Sequence, residues 1–575
     1  LYESAKNLQP NGDLVSFTRI GVAGKAFGGE TPQMPLKSFS LLRFEDMVLF
    51  RDEILQIGTL PWLLAWHSKL LFPSWLFEGW KGERKTGREA WPAPLLMALL
   101  LLRHSKPGMT RLGAIREATV SAAWRAALHL PWHVAPPDEK TLREFEAFLK
   151  LSHPKVGRPR SEVAFEHWTR LGMDDCLASK EAIWVIDSTP MWCFGAVQDT
   201  VRLLGDGLRS LGKRWARARK EPLDKVAEAW AEPLLLAKST KGYYEGTDWA
   251  DPTSRACVLS RLAASVTQAA KWVTEHLNEV RENKHKTLLR MCRNLLGVVQ
   301  DDLVTDEHGV LQIAHRATSA RLISITDPEA QHFRKSKSKV CSGYKLHLLT
   351  DAVSGLVLSL SVTPGGEHDN SQAHPLIARA KALHADIRKV LGDAAYGGMP
   401  VRMEVRNLDQ VEILAPPVAS GRENVLGKKD FAINFEQMIA TCPGGVDSSW
   451  MTLTKQGDYQ IPTMHWAKGS AESCSCRDVC PIHDGRLRGL QLHPFEEELR
   501  KIRAEWEKPE TRAEYRERSR GERQVREMIR RGARRACAWG LDNAQLQALM
   551  AGGVNNLLVL ARHLARQIPK LKKAA

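Results

Sequence analysis

Three acids in this 575-residue chain stand where carboxylates can act together. Asp187 closes the run Ala182-Ile183-Trp184-Val185-Ile186, which reads as a short buried strand with a carboxylate at its C-terminal end. Asp393 closes Arg388-Lys389-Val390-Leu391-Gly392 in the same way. Glu522 lies on a late helical stretch, where Tyr515, Arg518, Glu522 and Arg526 fall within roughly an 80° arc at ~100° per residue. Carboxylates at the ends of neighbouring strands suit a pair of divalent cations. Two ions ~3.5–4 Å apart stabilise both the attacking and the leaving oxygen of an in-line phosphoryl transfer. The competing reading makes the aspartates turn formers and the glutamate a partner in intrahelical ion pairs. Agreement among three acids and the order of the elements favours the shared metal site.

Those elements can be read along the chain. Pro94–His104 and Arg111–Leu130 have helical patterning and are broken at Lys106-Pro107-Gly108; Lys140–Leu149 restarts it after Pro136-Pro137-Asp138. Residues 202–302 are helix-rich, including Val258–Val280 and His285–Leu303, and form an insertion after the first strand. Tyr344–Thr350 and Leu356–Thr363 read as a hairpin, followed by a helix at Gln372–Ala385, the strand before Asp393, a short helix, and a strand at Val411–Leu414. Cys442–His483 is loop-rich and the remainder helical. This order predicts an α/β fold, an RNase H-like mixed sheet with a helical insertion, preceded by an all-α N-terminal domain. The expected divisions are a poorly defined segment 1–60, helical domain 61–155, first core part 178–440 with its insert at about 202–310, cysteine-bearing insertion 441–485, and helical part 486–575 completing the core.

Composition narrows the partners. The 82 Lys and Arg exceed the 66 Asp and Glu, giving a formal charge of +16, and a basic chain is asked first about polyanions. An apolar fraction of 43% with 26% charged residues excludes wholesale disorder. The apolar run Leu95–Leu102 is far short of the ~20 residues that span a bilayer, and no secretory leader is evident, so a cytoplasmic protein is expected. The excess charge is concentrated. Ten arginines and no lysine lie between Arg512 and Arg535 against four acids, and a basic loop runs from Arg334 to Lys339. Lys335, Lys337 and Lys345 are candidate DNA-phosphate contacts.

Two further clusters have open readings. Cys442, Cys474, Cys476 and Cys480, with His483 nearby, are either a tetrahedral zinc site or reduced thiols, and Cys474 and Cys476 lack the usual two-residue spacing. Glu367-His368-Asp369 either assists a metal or proton transfer or caps the next helix. Trp124 and Trp184 read as core, whereas Trp466 and Trp539 are candidates for stacking on bases, with core the favoured alternative.

At these residues the sequence resembles the DDE transposases of bacterial insertion sequences with an InsH-like helical N-terminal domain. The resemblance rests on Val185-Ile186-Asp187-Ser188-Thr189, Gly195 to Thr200, Thr326-Asp327-Pro328-Glu329, Gly343-Tyr344-Lys345 and Leu391-Gly392-Asp393-Ala394-Ala395-Tyr396-Gly397. Trp91-Pro92-Ala93-Pro94 and Gly108-Met109-Thr110-Arg111 extend it toward the N-terminus. It implies a catalytic triad of Asp187, Asp393 and Glu522 holding two Mg²⁺ or Mn²⁺ ions, with Glu517 as the alternative register. Tyr515 and Arg518 fit the family's spacing before the glutamate, and the resemblance implies that they hold DNA-end phosphate, with Arg526 a further DNA contact. Ile529 stands where relatives have lysine, with Arg526 and Arg530 nearby. The resemblance further implies double-stranded DNA as partner, recognition of terminal inverted repeats, cleavage and strand transfer, and a homodimer on DNA. An RNase H-like nuclease without joining activity and a DNA-binding relative without catalysis are the rival readings.

Overall fold

A computed structural model describes residues 53–574 apart from 81–88, 177–181, 315–320, 418–425, most of 468–488, and positions 337, 384 and 458. Capping side chains mark where the first helices begin: Thr59 accepts from the Trp62 N–H, Thr110 from Gly113 and Asp138 from Thr141. The helices are α1 (Leu60–Leu71), α2 (Ala93–Ser105), α3 (Arg111–Val120), α4 (Ala122–Ala127), α5 (Glu139–Lys150) and α6 (Arg160–Cys176). The single helix expected over Arg111–Leu130 is therefore two. Ser121 ends α3 in an extended conformation and caps α4 by accepting from the Trp124 N–H. The β-branched pair Thr119-Val120 just before it weakens the helix at that point. Helix α2 is buried almost all round, as an apolar helix without a polar face must be.

Strand β1 (Trp184–Trp192) follows. The chain then leaves the sheet for α7 (Thr200–Arg219), α8 (Leu223–Ala229), α9 (Thr240–Tyr243), α10 (Pro252–Glu275) and α11 (Glu282–Asp302). These helices enclose their own core, centred on Leu208, Trp215, Leu262 and Leu295. The stretch expected as a helix to Val280 stops at Glu275, and a 3-10 turn carries the chain to Val280. A small hairpin, β2 (Leu303–Thr305) with β3 (Leu311–Ile313), ends the excursion.

The main sheet resumes with β4 (Gln331–Ser336), β5 (Lys339–Asp351) and β6 (Val357–Pro364). After α12 (Ala373–Ala382) come β7 (Lys389–Leu391), α13 (Met399–Asp409) and β8 (Glu412–Leu414). The strand order is β4-β5-β1-β7-β8, with β6 also pairing β5. β1 runs antiparallel to β5 and parallel to β7, and β7 parallel to β8. Arg334, Lys335 and Lys339, expected in a loop, instead lie on a hairpin arm, with β4 paired to β5.

The described part of the cysteine-bearing stretch is likewise more ordered than a loop. β9 (Ala432–Asn434) pairs β10 (Ile439–Thr441), and β11 (Trp450–Gln456), β12 (Tyr459–His465) and β13 (Leu490–Gln491) form a small sheet. The chain ends in α14 (Glu496–Trp506), α15 (Pro509–Arg516), α16 (Glu522–Met528) and α17 (Leu541–Ala574).

Helix α17 joins the halves. It packs on α6, α2 and β6, and one continuous core contains Leu99, Phe165, Trp168, Leu348, Leu360 and Leu557. Close approach depends on Gly553, where an added Cβ would lie 2.5 Å from the Trp168 ring. Part of α17, Leu541–Gln567, is long and apolar enough to cross a membrane, but 83% of its most apolar window is buried in this core. It also closes the open edge of β6. Asn556 accepts from the Val357 N–H and donates to the Val357 carbonyl, both at 2.8 Å, and Gln545 accepts from the Val362 N–H at 2.7 Å. Two amide side chains thus take the place of a neighbouring strand.

Candidate functional site

The parallel pairing of Val185 with Leu391 fixes the first two acids. Asp187 and Asp393 each lie two residues beyond that pair, so the register carries both to the same end of adjacent strands. Asp187 is not the end of its strand, as the apolar run suggested: β1 continues to Trp192, paired with β5 throughout. It is instead the point where β7 has ended and β1's other side opens. Asp393 begins a 3-10 turn, and its Oδ1 accepts from the Ala395 N–H at 2.9 Å, which fixes the carboxylate's direction.

The third acid arrives from the opposite end of the chain. A single helix across Tyr515, Arg518, Glu522 and Arg526 does not form: α15 stops at Arg516, a 3-10 turn covers Glu517–Gly521, and α16 starts at Glu522. The turn lies directly on β1. An added Cβ at Gly521 would meet Val185 Cγ1 at 2.5 Å and Cβ at 2.8 Å, so only glycine permits this approach. At the far end, the Trp192 N–H donates to the Arg534 carbonyl and the Ala536 N–H to the Trp192 carbonyl, stitching the same segment to β1. Between the two anchors Arg518 stands over the carboxylates. Its guanidinium is 3.4 Å from Asp187 Oδ2 and 3.5 Å from Glu522 Oε1.

Electrostatics report the same gathering. Burial pushes the Asp187 carboxyl up to about 6; Arg518 and the Ser188 N–H act against this, while the charges of Asp393 and Glu522 push it further up. Tyr515 packs edge-on against Trp506 at 4.7 Å, and burial raises its hydroxyl, with Arg518, Asp393 and Asp187 in its field. Residues 314–557 match the Transposase DDE domain family. No solved structure matches the chain.

The match supports a DDE transposase, a class of DNA-acting enzyme. Its span contains Asp393 and Glu522, whereas Asp187 precedes it. Among the described residues no three His, Cys, Asp or Glu side chains form a ready-made metal cage. The cation that bridges Asp187 and Glu522 in this structure is Arg518.

The other expected contacts are dispersed. Arg526 is exposed one turn beyond Glu522, and Lys335 is exposed on the hairpin arm; Lys337 lies outside the described residues. Lys345 is committed internally: its Nζ is 2.8 Å from Asp369 Oδ1 and donates to the Glu367 carbonyl at 2.6 Å. Cys442, Cys476 and Cys480 are half-buried, while Cys474 and His483 lie outside the described residues. Trp124 and Trp184 are buried as expected. Trp466 packs half-buried on Phe431 and donates to the Val446 carbonyl; Trp539 is 53% exposed beside Phe194.

Asp369, Ser188 and Tyr396 lie around the carboxylates; of these, only Asp369 was singled out in the sequence, within Glu367-His368-Asp369, and Ser188 and Tyr396 were given no role there. Asp369 does not cap a helix with its side chain. The available signals were positional: Ser188 follows Asp187 directly, and Tyr396 lies three residues beyond Asp393.

Proposed function

We propose that this chain is a divalent-metal-dependent DNA transposase with an RNase H-like core, in which Asp187, Asp393 and Glu522 form the catalytic triad. The observation that supports this best is that the register of β1 and β7 brings Asp187 and Asp393 to one end of the sheet, where one guanidinium bridges Asp187 to Glu522 at the start of α16. The residues fit Mg²⁺ or Mn²⁺. All three donors are hard carboxylate oxygens, Asp187 is pushed upward in pKa by burial and by its acidic neighbours, and a cation already bridges two of the acids. When bound, a pair of ions supplies the charge that stabilises the attacking and leaving oxygens of phosphoryl transfer.

The protein's own groups have definable tasks. The Ser188 and Ala395 N–H groups orient Asp187 and Asp393. Arg518 neutralises the acids in the metal-free protein and, once released, is a planar donor suited to a DNA phosphate beside Tyr515. The exposed arginines of α16 and the hairpin lysines extend a cationic surface for the DNA backbone. Terminal-repeat recognition, strand transfer and a homodimer on DNA complete the reading.

The test uses a supercoiled plasmid carrying the DNA that flanks the coding sequence, with Mg²⁺ or Mn²⁺. Asp187→Asn, Asp393→Asn and Glu522→Gln should each reduce cleavage at least about 1,000-fold while DNA binding persists. Cleavage within tenfold of wild type in any of them removes that acid from the triad. Joining of the cut ends to a second plasmid separates a transposase from a nuclease that only cuts.

A further inference from the structure

The carboxylate cluster extends through β1 to a fourth acid. Asp187 and Ser188 are neighbours on a strand, so their side chains point to opposite faces, Asp187 toward Arg518 and Ser188 toward the turn before α12. There the Ser188 hydroxyl donates to Asp369 Oδ2 at 2.7 Å, while the Ser188 N–H donates to Asp187 Oδ1 at 2.8 Å. One residue therefore links the two carboxylates. The second Asp369 oxygen is held by Lys345 at 2.8 Å, in an ion pair that lies off the ideal hydrogen-bond direction. Lys345 sits opposite Pro190 on β5, so Asp369 ties the turn to both β1 and β5.

The surroundings make this linkage more than a surface contact. Both side chains of the Lys345–Asp369 pair are less than a fifth exposed. Beneath them His347 is fully buried with Nε2 on Thr363 Oγ1, and burial holds it neutral. The Tyr396 hydroxyl is fully buried, has no hydrogen-bond partner, and lies in the combined field of Asp369, Asp393 and Asp187. A buried unpartnered hydroxyl costs free energy, so its retention among three acids marks a polar chamber under the site rather than ordinary core.

We propose that Asp369 is a positioning residue for the metal centre: held by Lys345, it fixes Ser188 and through it the direction of Asp187. The inference rests on the triad reading above. Groups that orient a metal ligand typically change metal affinity 10–100-fold when removed, because the ligand then samples directions that do not coordinate.

Mn²⁺ binding to the full chain without DNA, followed by electron paramagnetic resonance, tests this, alongside Mg²⁺ titration of plasmid cleavage and thermal melting. Asp369→Asn and Ser188→Ala should each weaken Mn²⁺ binding about 10–100-fold and raise the Mg²⁺ needed for half-maximal cleavage by a similar factor. Cleavage should recover at high Mg²⁺, and the double variant should be no worse than the poorer single one, because the two act in series. Unchanged metal dependence in either variant overturns the proposal, as does a loss that extra metal does not restore in a variant that melts like wild type. If Asp369→Asn fails to fold, Ser188→Ala decides the question alone. An Asp187→Asn variant that still binds Mn²⁺ and cleaves normally overturns the triad itself; one that fails in both while Asp369→Asn behaves as wild type overturns only the positioning role.

Discussion

Replacing Gly521 by alanine sets two physical expectations against each other. Gly521 has φ −65° and ψ −26°, which alanine adopts freely, so helix propensity alone predicts a gain of up to about 1 kcal/mol. The contact with β1 predicts the reverse. A Cβ at 2.5 Å from Val185 Cγ1 must move about 1 Å to reach the ~3.5–4.0 Å of ordinary carbon contact. Overpacking of this kind costs about 1–3 kcal/mol, which the propensity gain offsets only in part. Because Arg518 and Glu522 lie on either side of Gly521, the displacement passes directly to the site. A misplacement of about 1 Å is enough to cost ~100-fold in rate. Gly521→Ala should therefore lose about 100-fold in plasmid cleavage while its urea midpoint falls only slightly. Val185→Ala in the same chain removes the two methyl contacts and leaves the Cβ contact at 2.8 Å, so cleavage should recover partly, by about tenfold. Wild-type cleavage by Gly521→Ala, or a folded double variant no better than the single one, would falsify the claim that this approach positions the third acid.

Asn556→Ala removes the groups that satisfy both the N–H and the carbonyl of Val357, and should lower unfolding stability by about 3 kcal/mol, read from urea denaturation; a loss under about 0.5 kcal/mol means the strand edge finds other partners. Acid should destabilise the fold below about pH 6.5 through buried histidines: burial holds His104 down to about 3, and His129 and His347 down to about 4, so only the unfolded chain takes up their protons. Asp187, raised to about 6, works in the opposite sense, so these four groups together leave about two net protons between about pH 6 and pH 4, to which the lowered His67, His167, His332 and His493 add and the raised Glu162 is opposed. The share of those four groups corresponds to about 3 kcal/mol per pH unit, and a urea midpoint that stays constant from about pH 7 to pH 5 contradicts it.

What was legible in the sequence depended on whether one local run determined it. The apolar runs before Asp187 and Asp393 specified their strands, and their common length beyond the paired residues put both acids at one place. Glu522 was singled out from its spacing to Tyr515 and Arg518, and the single helical arc drawn through them did not form. The chain tightens to a 3-10 turn there because Gly521 lies on Val185, a contact between residues 336 positions apart. The expected strand end at Asp187 failed for a related reason: Ser188-Thr189-Pro190 looks like a turn, yet nine residues of β5 pair alongside and keep it extended. Lys345 looked like a DNA contact because its charge was visible and Asp369, its partner, was not. The N-terminal helices gave no hint that a helix near residue 550 would fill the space between them and the sheet.

The place of α17 at the centre of the core has a consequence for how the molecule comes into being. Synthesis makes Asp187 early, but the helix around which α2, α6 and β6 close is not complete until about Leu564 has left the ribosome. Glu522 precedes that helix by less than the helix's own length. A ribosome that stalls or terminates early therefore releases a chain that lacks the interior needed to fold, whatever acids it already carries. Such a fragment is matter for proteases, and the proposed site is held in place only once α17 has been made.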